Sequence, residues 1–127
     1  MKKLLSALFA SALLLTSCSS GSSATDLGSQ EFASKVAEPG VIVLDVRTAA
    51  EFAEGHLENA INIDVESGQF DAGIAQLDKT KTYAVYCRSG RRSGVAVGKM
   101  SDAGFTSLFN LNAGITDWQS QGFPVVL

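Results

Sequence analysis

Val41-Ile42-Val43-Leu44 is an unbroken run of apolar, mostly β-branched residues. A strand with one wet face alternates apolar and polar residues; a strand without that alternation is covered on both faces. Thr82-Tyr83-Ala84-Val85-Tyr86 reads the same way. Such strands belong to parallel sheets with helices packed on both sides. The rest of the chain supplies the pieces. Ser29 is placed to cap a helix over 30–37, with Phe32, Ala33 and Val36 on one face, and Pro39-Gly40 stops it. Thr48 caps a short helix through Ala53 that ends at Gly55. A short strand over 60–63, a helix over 69–77, a helix over 93–103, a strand over 107–110 and a helix over 115–121 complete the series. Strands and helices alternate throughout and no internal repeat is visible. The expected fold class is therefore α/β, a single domain with a central parallel sheet flanked by helices on both faces. The 127 residues, 46% hydrophobic and 18% charged, suffice for one such domain.

The first residues are a separate unit. Met1-Lys2-Lys3 is basic, and Leu4 to Leu15 is apolar apart from Ser6 and Ser11. That run is shorter than the roughly 20 residues needed to cross a bilayer, and it fits the apolar region of a secretory signal. Leu15-Thr16-Ser17-Cys18 resembles the lipobox of bacterial lipoprotein signals. The resemblance implies cleavage before Cys18 and acylation of its sulfur, an anchor stable once two or more acyl chains are present. The expected organisation is a signal peptide over 1–17, a lipidated Cys18 with a Ser/Gly tether through 26, and a domain over 27–127. The expected location is exported and membrane-anchored. Ser19 stands where an Asp would argue against the outer membrane, so with two membranes the periplasmic face of the outer one is expected.

This reading changes the cysteine arithmetic. The chain has two cysteines, and an exported protein would ordinarily join them. With Cys18 acylated, Cys87 is left as the sole free thiol. Loss of residues 1–17 removes Lys2 and Lys3 and leaves 8 basic against 13 acidic residues, a net of −5. That balance argues against nucleic acid as a partner.

Against the acidic background, Cys87-Arg88-Ser89-Gly90-Arg91-Arg92-Ser93 is locally basic. A lone cysteine at the end of an apolar strand is commonly an inert core residue. The residues after Cys87 do not suit a core: three arginines surround a glycine, and a helix then opens. Gly90 permits a turn with φ > 0. Loops of this kind turn several N–H groups inward as an anion-binding nest, and the helix end adds to it. Both favour thiolate over thiol, so Cys87 is expected to be a nucleophile of lowered pKa.

This loop resembles the active-site loop of the rhodanese-like sulfurtransferases. Two further segments match in the same order. One runs Asp45-Val46-Arg47, Glu51-Phe52, Gly55-His56-Leu57 and Ala60-Ile61-Asn62-Ile63. The other is Asn110-Leu111-Asn112-Ala113-Gly114 with Trp118 and Gly122-Phe123-Pro124-Val125. Ala113 departs from the family's frequent second glycine, which is tolerable unless φ > 0 is needed there. The resemblance covers about 26–127. It implies that Cys87 takes a sulfane sulfur from thiosulfate or a persulfide as Cys87–S–S⁻. Arg88, Ser89, Gly90, Arg91, Arg92 and Ser93 bind the donor and cradle the terminal sulfur. A thiol, cyanide or an acceptor protein then removes it. No cofactor or metal is implied, and a monomer is expected.

Two alternatives bear on the same residues. Cysteine phosphatases and arsenate reductases carry Cys, five residues, then Arg; here that position is Ser93 and Arg92 comes one earlier, which makes a smaller cradle. Non-catalytic rhodanese-like modules bind partners but typically lack the cysteine. Asp45 and Arg47 end a strand and are read as a structural pair that also engages Glu51. His56 is read as bonded to backbone carbonyls rather than catalytic, and Trp118 as a core anchor.

Overall fold

The computed structural model describes residues 24–127. The signal, Cys18 and most of the tether therefore lie outside the described residues. Five strands, β1 (Ala24–Leu27), β2 (Val41–Asp45), β3 (Ile61–Asn62), β4 (Thr82–Tyr86) and β5 (Ser107–Leu111), form one sheet in the order β1-β5-β4-β2-β3. Every pairing is parallel. The two unbroken apolar runs lie side by side near the centre, with Val41 opposite Thr82 and Asp45 opposite Tyr86. Each element between strands is a crossover helix: α1 (Ser29–Val36), α2 (Ala49–Glu54), α3 (Phe70–Ala75) and α4 (Arg91–Asp102), with α5 (Gly114–Ser120) after the last strand.

Because successive strand residues point to opposite faces, the sheet feeds two cores. Leu44, Tyr83, Val85 and Leu108 meet Phe70 and Ile74 of α3 and Ala96, Val97 and Met100 of α4. Val43, Ala84, Tyr86 and Leu111 meet Phe32 of α1 and Ile115 and Trp118 of α5. Helices cover both faces, as the sequence predicts. Trp118 is a core anchor: 4% exposed, edge-on to Phe32, with Nε1 donating to the Pro124 carbonyl at 2.9 Å.

Three expectations are corrected. The sequence predicts a tether through residue 26, but Ala24–Leu27 is an edge strand on β5, with Asp26 accepting from Asn110 Nδ2 at 2.9 Å. Gly28, not Ser29, caps α1; the buried Ser29 hydroxyl instead donates to Asp117 of α5 at 2.7 Å. Helix α4 begins at Arg91 rather than at 93, so Arg91 and Arg92 occupy its first turn. The Thr48 cap is present: its hydroxyl oxygen accepts from the Glu51 N–H at 3.2 Å.

Candidate active site

Strand β4 ends at Tyr86, and Cys87 follows at the carboxyl end of the sheet, where open α/β folds place their sites. Cys87 is 1% exposed. Gly90 turns the chain with φ 99 and leads directly into α4. Only glycine fits there, since a Cβ would lie 1.9 Å from the Asn112 carbonyl oxygen. The turn brings the Gly90 N–H to 3.1 Å from Cys87 Sγ.

Burial is the largest influence on this thiol and pushes its pKa up. It is outweighed by the Ser93 hydroxyl and the N–H groups of Ser93, Gly90 and Ser89, so the thiol lies below its ordinary value of 9.0. Ser93 is fully buried and its Oγ is also 3.2 Å from the Gly90 carbonyl oxygen. Its single proton serves one acceptor at a time, and turned to the sulfur it stabilises the thiolate. The sulfur is therefore held by loop donors. Arg88 and Arg91 are exposed.

Arg92 is committed to a partner that the sequence assigns elsewhere. Glu51 is predicted beside Asp45 and Arg47; instead it takes Arg92 in a two-pronged pair, Nη1 to Oε1 at 2.7 Å and Nη2 to Oε2 at 2.9 Å. This pair ties the first turn of α2 to the first turn of α4. The Arg92 bond is the largest influence on Glu51 and holds its carboxyl down to about 2. Arg92 is raised in turn, first by Glu51 and to a smaller extent by charge at Cys87.

Asp45 and Arg47 form the expected structural pair, Nη2 to Oδ2 at 2.6 Å, both buried. Arg47 also donates to the Gly55 carbonyl at 2.7 Å. The Tyr86 hydroxyl donates to Asp45 Oδ2 at 2.6 Å and accepts from the Leu57 N–H at 3.0 Å. His56 stands apart: its Nδ1 is 2.8 Å from the Phe52 carbonyl oxygen and its ring stacks on Phe52 at 3.7 Å.

Sequence reasoning misses a second support for the loop. The N–H groups of Ile115 and Thr116 donate to the carbonyls of Cys87 and Arg88 at 2.9 and 3.2 Å. Gly114, at φ 73, packs so closely that a Cβ would lie 2.1 Å from the Arg88 carbonyl oxygen. The signal is present in Asn112-Ala113-Gly114, but the glycine's partner is 26 residues away in sequence. Ala113 has φ −90, so the departure from a second glycine carries no strain.

A polar cleft of about 420 Å³ opens beside the loop, lined among others by Arg47, Glu51, Glu54, Arg88, Thr116 and Gln119. A larger apolar cavity of about 590 Å³, lined by Val36, Val41, Leu57 and Trp118, lies on the α1/α5 face and does not include Cys87. Cys87 does not line the smaller cleft either, but that cleft takes in Arg88, the next residue of the loop, together with Ile115 and Thr116, which support it.

A family model described as Rhodanese-like domain matches residues 29–121. A sulfurtransferase of Allochromatium vinosum is 28% identical over 102 residues, covering 80% of this chain and 94% of the relative. Thiosulfate sulfurtransferase PspE of Escherichia coli is 36% identical over 67 residues, 53% of this chain and 64% of the relative. The putative sulfur carrier protein YrkF of Bacillus subtilis is 28% identical over 103 residues, and this chain spans about half of it, 55%. Among solved structures, a rhodanese-related protein of Thermoplasma volcanium superposes with a TM-score of 0.71 at 31% identity, covering 80% of this chain and 97% of that one.

Proposed function

The chain belongs to the rhodanese-like domain family, and from that premise we propose that it is a sulfurtransferase working through a persulfide on Cys87. The observation that carries the reading is the thiol itself, buried at a strand end and held below its ordinary pKa by loop donors. In the first step the Cys87 thiolate attacks the outer sulfur of thiosulfate. A Cys87–S bond forms, the donor's S–S bond breaks, and sulfite leaves with the electron pair. The product is Cys87–S–S⁻. In the second step a nucleophile such as cyanide or a thiolate attacks the terminal sulfur and returns Cys87 as thiolate. N–H donors already aimed at the sulfur stabilise charge there without reorganising. With no second cysteine among residues 24–127 and Cys18 acylated in this reading, the sulfur leaves to an external acceptor. Loop residues 88–93 bind the donor, Arg92 through its position against Glu51. The Leu15–Cys18 motif supports an exported, lipid-anchored protein, with the domain carried outside the cytoplasm.

Mass spectrometry tests the central claim. Incubation with thiosulfate is expected to add about 32 Da, one sulfur atom, to the protein and cyanide to remove it. The gain is expected to vanish in Cys87→Ser. A protein that gains no mass, or gains it equally without Cys87, refutes the assignment.

A further inference from the structure

The cleft beside the loop holds two kinds of charge. Arg47 is neutralised by Asp45 at 2.6 Å, and Glu51 by Arg92 at 2.7 Å. Among the described residues, Arg88 and Glu54 have no ion-pair partner. Both are exposed and both line the same cleft. Arg88 directly follows the nucleophile, and Glu54 ends α2. The neutral polar lining is supplied by Thr116 and Gln119 of α5. At about 420 Å³ the cleft stands at the small end of the range for small-molecule sites.

One unpaired cation and one unpaired anion in a small polar cleft match a ligand carrying one of each. An inorganic dianion gains from Arg88 and is opposed by Glu54. A simple carboxylate thiol uses only Arg88, and a simple amine thiol only Glu54. We propose that this cleft binds the sulfur acceptor, and that the acceptor class it selects is a small zwitterionic aminothiol, its carboxylate toward Arg88 and its ammonium toward Glu54. The inference rests on the sulfur-transfer reading above. The step balances as Cys87–S–S⁻ plus R–SH giving Cys87–S⁻ plus R–S–SH. The acceptor's S–H proton ends on the product persulfide, one S–S bond breaks and one forms, and no outside oxidant or reductant takes part.

The test loads the purified protein with sulfur from thiosulfate and follows discharge of the added mass. Acceptors are L-cysteine, 3-mercaptopropionate (no ammonium), cysteamine (no carboxylate) and cyanide. Intrinsic thiol reactivity is common to all variants, so a change in the ratio between two acceptors isolates the cleft. Glu54→Gln is expected to lower the cysteine-to-mercaptopropionate ratio about two- to fivefold, the range for a solvent-exposed charge contact. Arg88→Gln is expected to lower the cysteine-to-cysteamine ratio by a similar factor. Because Arg88 also belongs to the donor-binding loop, ratios are taken on the sulfur-loaded fraction alone, and an unchanged ratio in either variant overturns the zwitterion assignment. Failure of the parent protein to load sulfur at all overturns the sulfur-transfer reading and this inference with it.

Discussion

Gly90 carries the geometry of the thiolate loop, and Gly90→Ala measures how much depends on it. At φ 99 a side chain is strained by about 1–2 kcal/mol. The new methyl group also meets the Asn112 carbonyl, oxygen at 1.9 Å and carbon at 2.9 Å. Both are backbone atoms, so no rotamer change relieves the clash. The loop and the turn before α5 must part by about 1 Å, an overpacking cost of about 1–3 kcal/mol. The total loss is about 2–5 kcal/mol, or roughly 10–20 °C in Tm for a domain of this size. The same movement carries the Gly90 N–H off the sulfur. At about 1 Å beyond its present 3.1 Å it no longer bonds. Burial, the largest influence on the thiol, then faces fewer opposing donors, and the pKa rises toward 9.0. The assay pairs a thermal melt with the pH dependence of iodoacetamide alkylation. A melt within about 2 °C of the parent, well under the shift expected from 1 kcal/mol, together with an unmoved alkylation midpoint, would refute the reasoning. Gly98→Ala is the control: nothing lies within 4 Å of its Cβ, and about 0.4–1 kcal/mol of added stability is expected.

Three other variants test the surrounding contacts. Glu51→Gln breaks the pair that joins α2 to α4. The fall of Glu51 from 4.5 to about 2 bounds the pair at about 3 kcal/mol, and solvent at side chains 27% and 17% exposed reduces the expected loss to about 1 kcal/mol. A carboxyl depressed on folding stabilises fully above its unfolded value, so the parent's advantage in urea melts should hold at pH 7 and shrink as pH falls from 4.5 toward 2. An advantage that does not change over that interval contradicts the pairing. Tyr86→Phe leaves the Leu57 N–H and one Asp45 oxygen without the hydroxyl, at a cost of about 1–3 kcal/mol in chemical denaturation. Finally, Cys18→Ser is expected to release the protein from membranes or leave it unprocessed; a variant processed and fractionating like the parent removes the lipid anchor from the account.

The doubly covered strands are legible in the sequence because burial on both faces leaves an apolar run that no other element explains. Thr48, Gly55 and Gly90 are legible because a cap or a turn is decided within three or four residues. Strand β1 is not. Ala24-Thr25-Asp26-Leu27 is a half-exposed edge strand after a serine-rich stretch, and its place depends on β5, more than 80 residues on. The Glu51–Arg92 pair spans 41 residues, and either charge alone reads as surface. The arginines around Cys87 stand out as a cluster in the sequence. Their division into one braced residue and two free ones depends on where α2 lies, which the loop's own sequence does not encode.

The direction of β1 gives the molecule an orientation. It runs parallel to its four companions, so Ala24 sits at the end of the sheet opposite Cys87. Strands of this length separate the two ends by about 15 Å. Five residues, 19–23, join Cys18 to β1. Tethered through Cys18, the domain would stand with its base to the bilayer and its thiolate facing the aqueous side. Sulfur donors and acceptors would then reach it from solution rather than from the lipid surface.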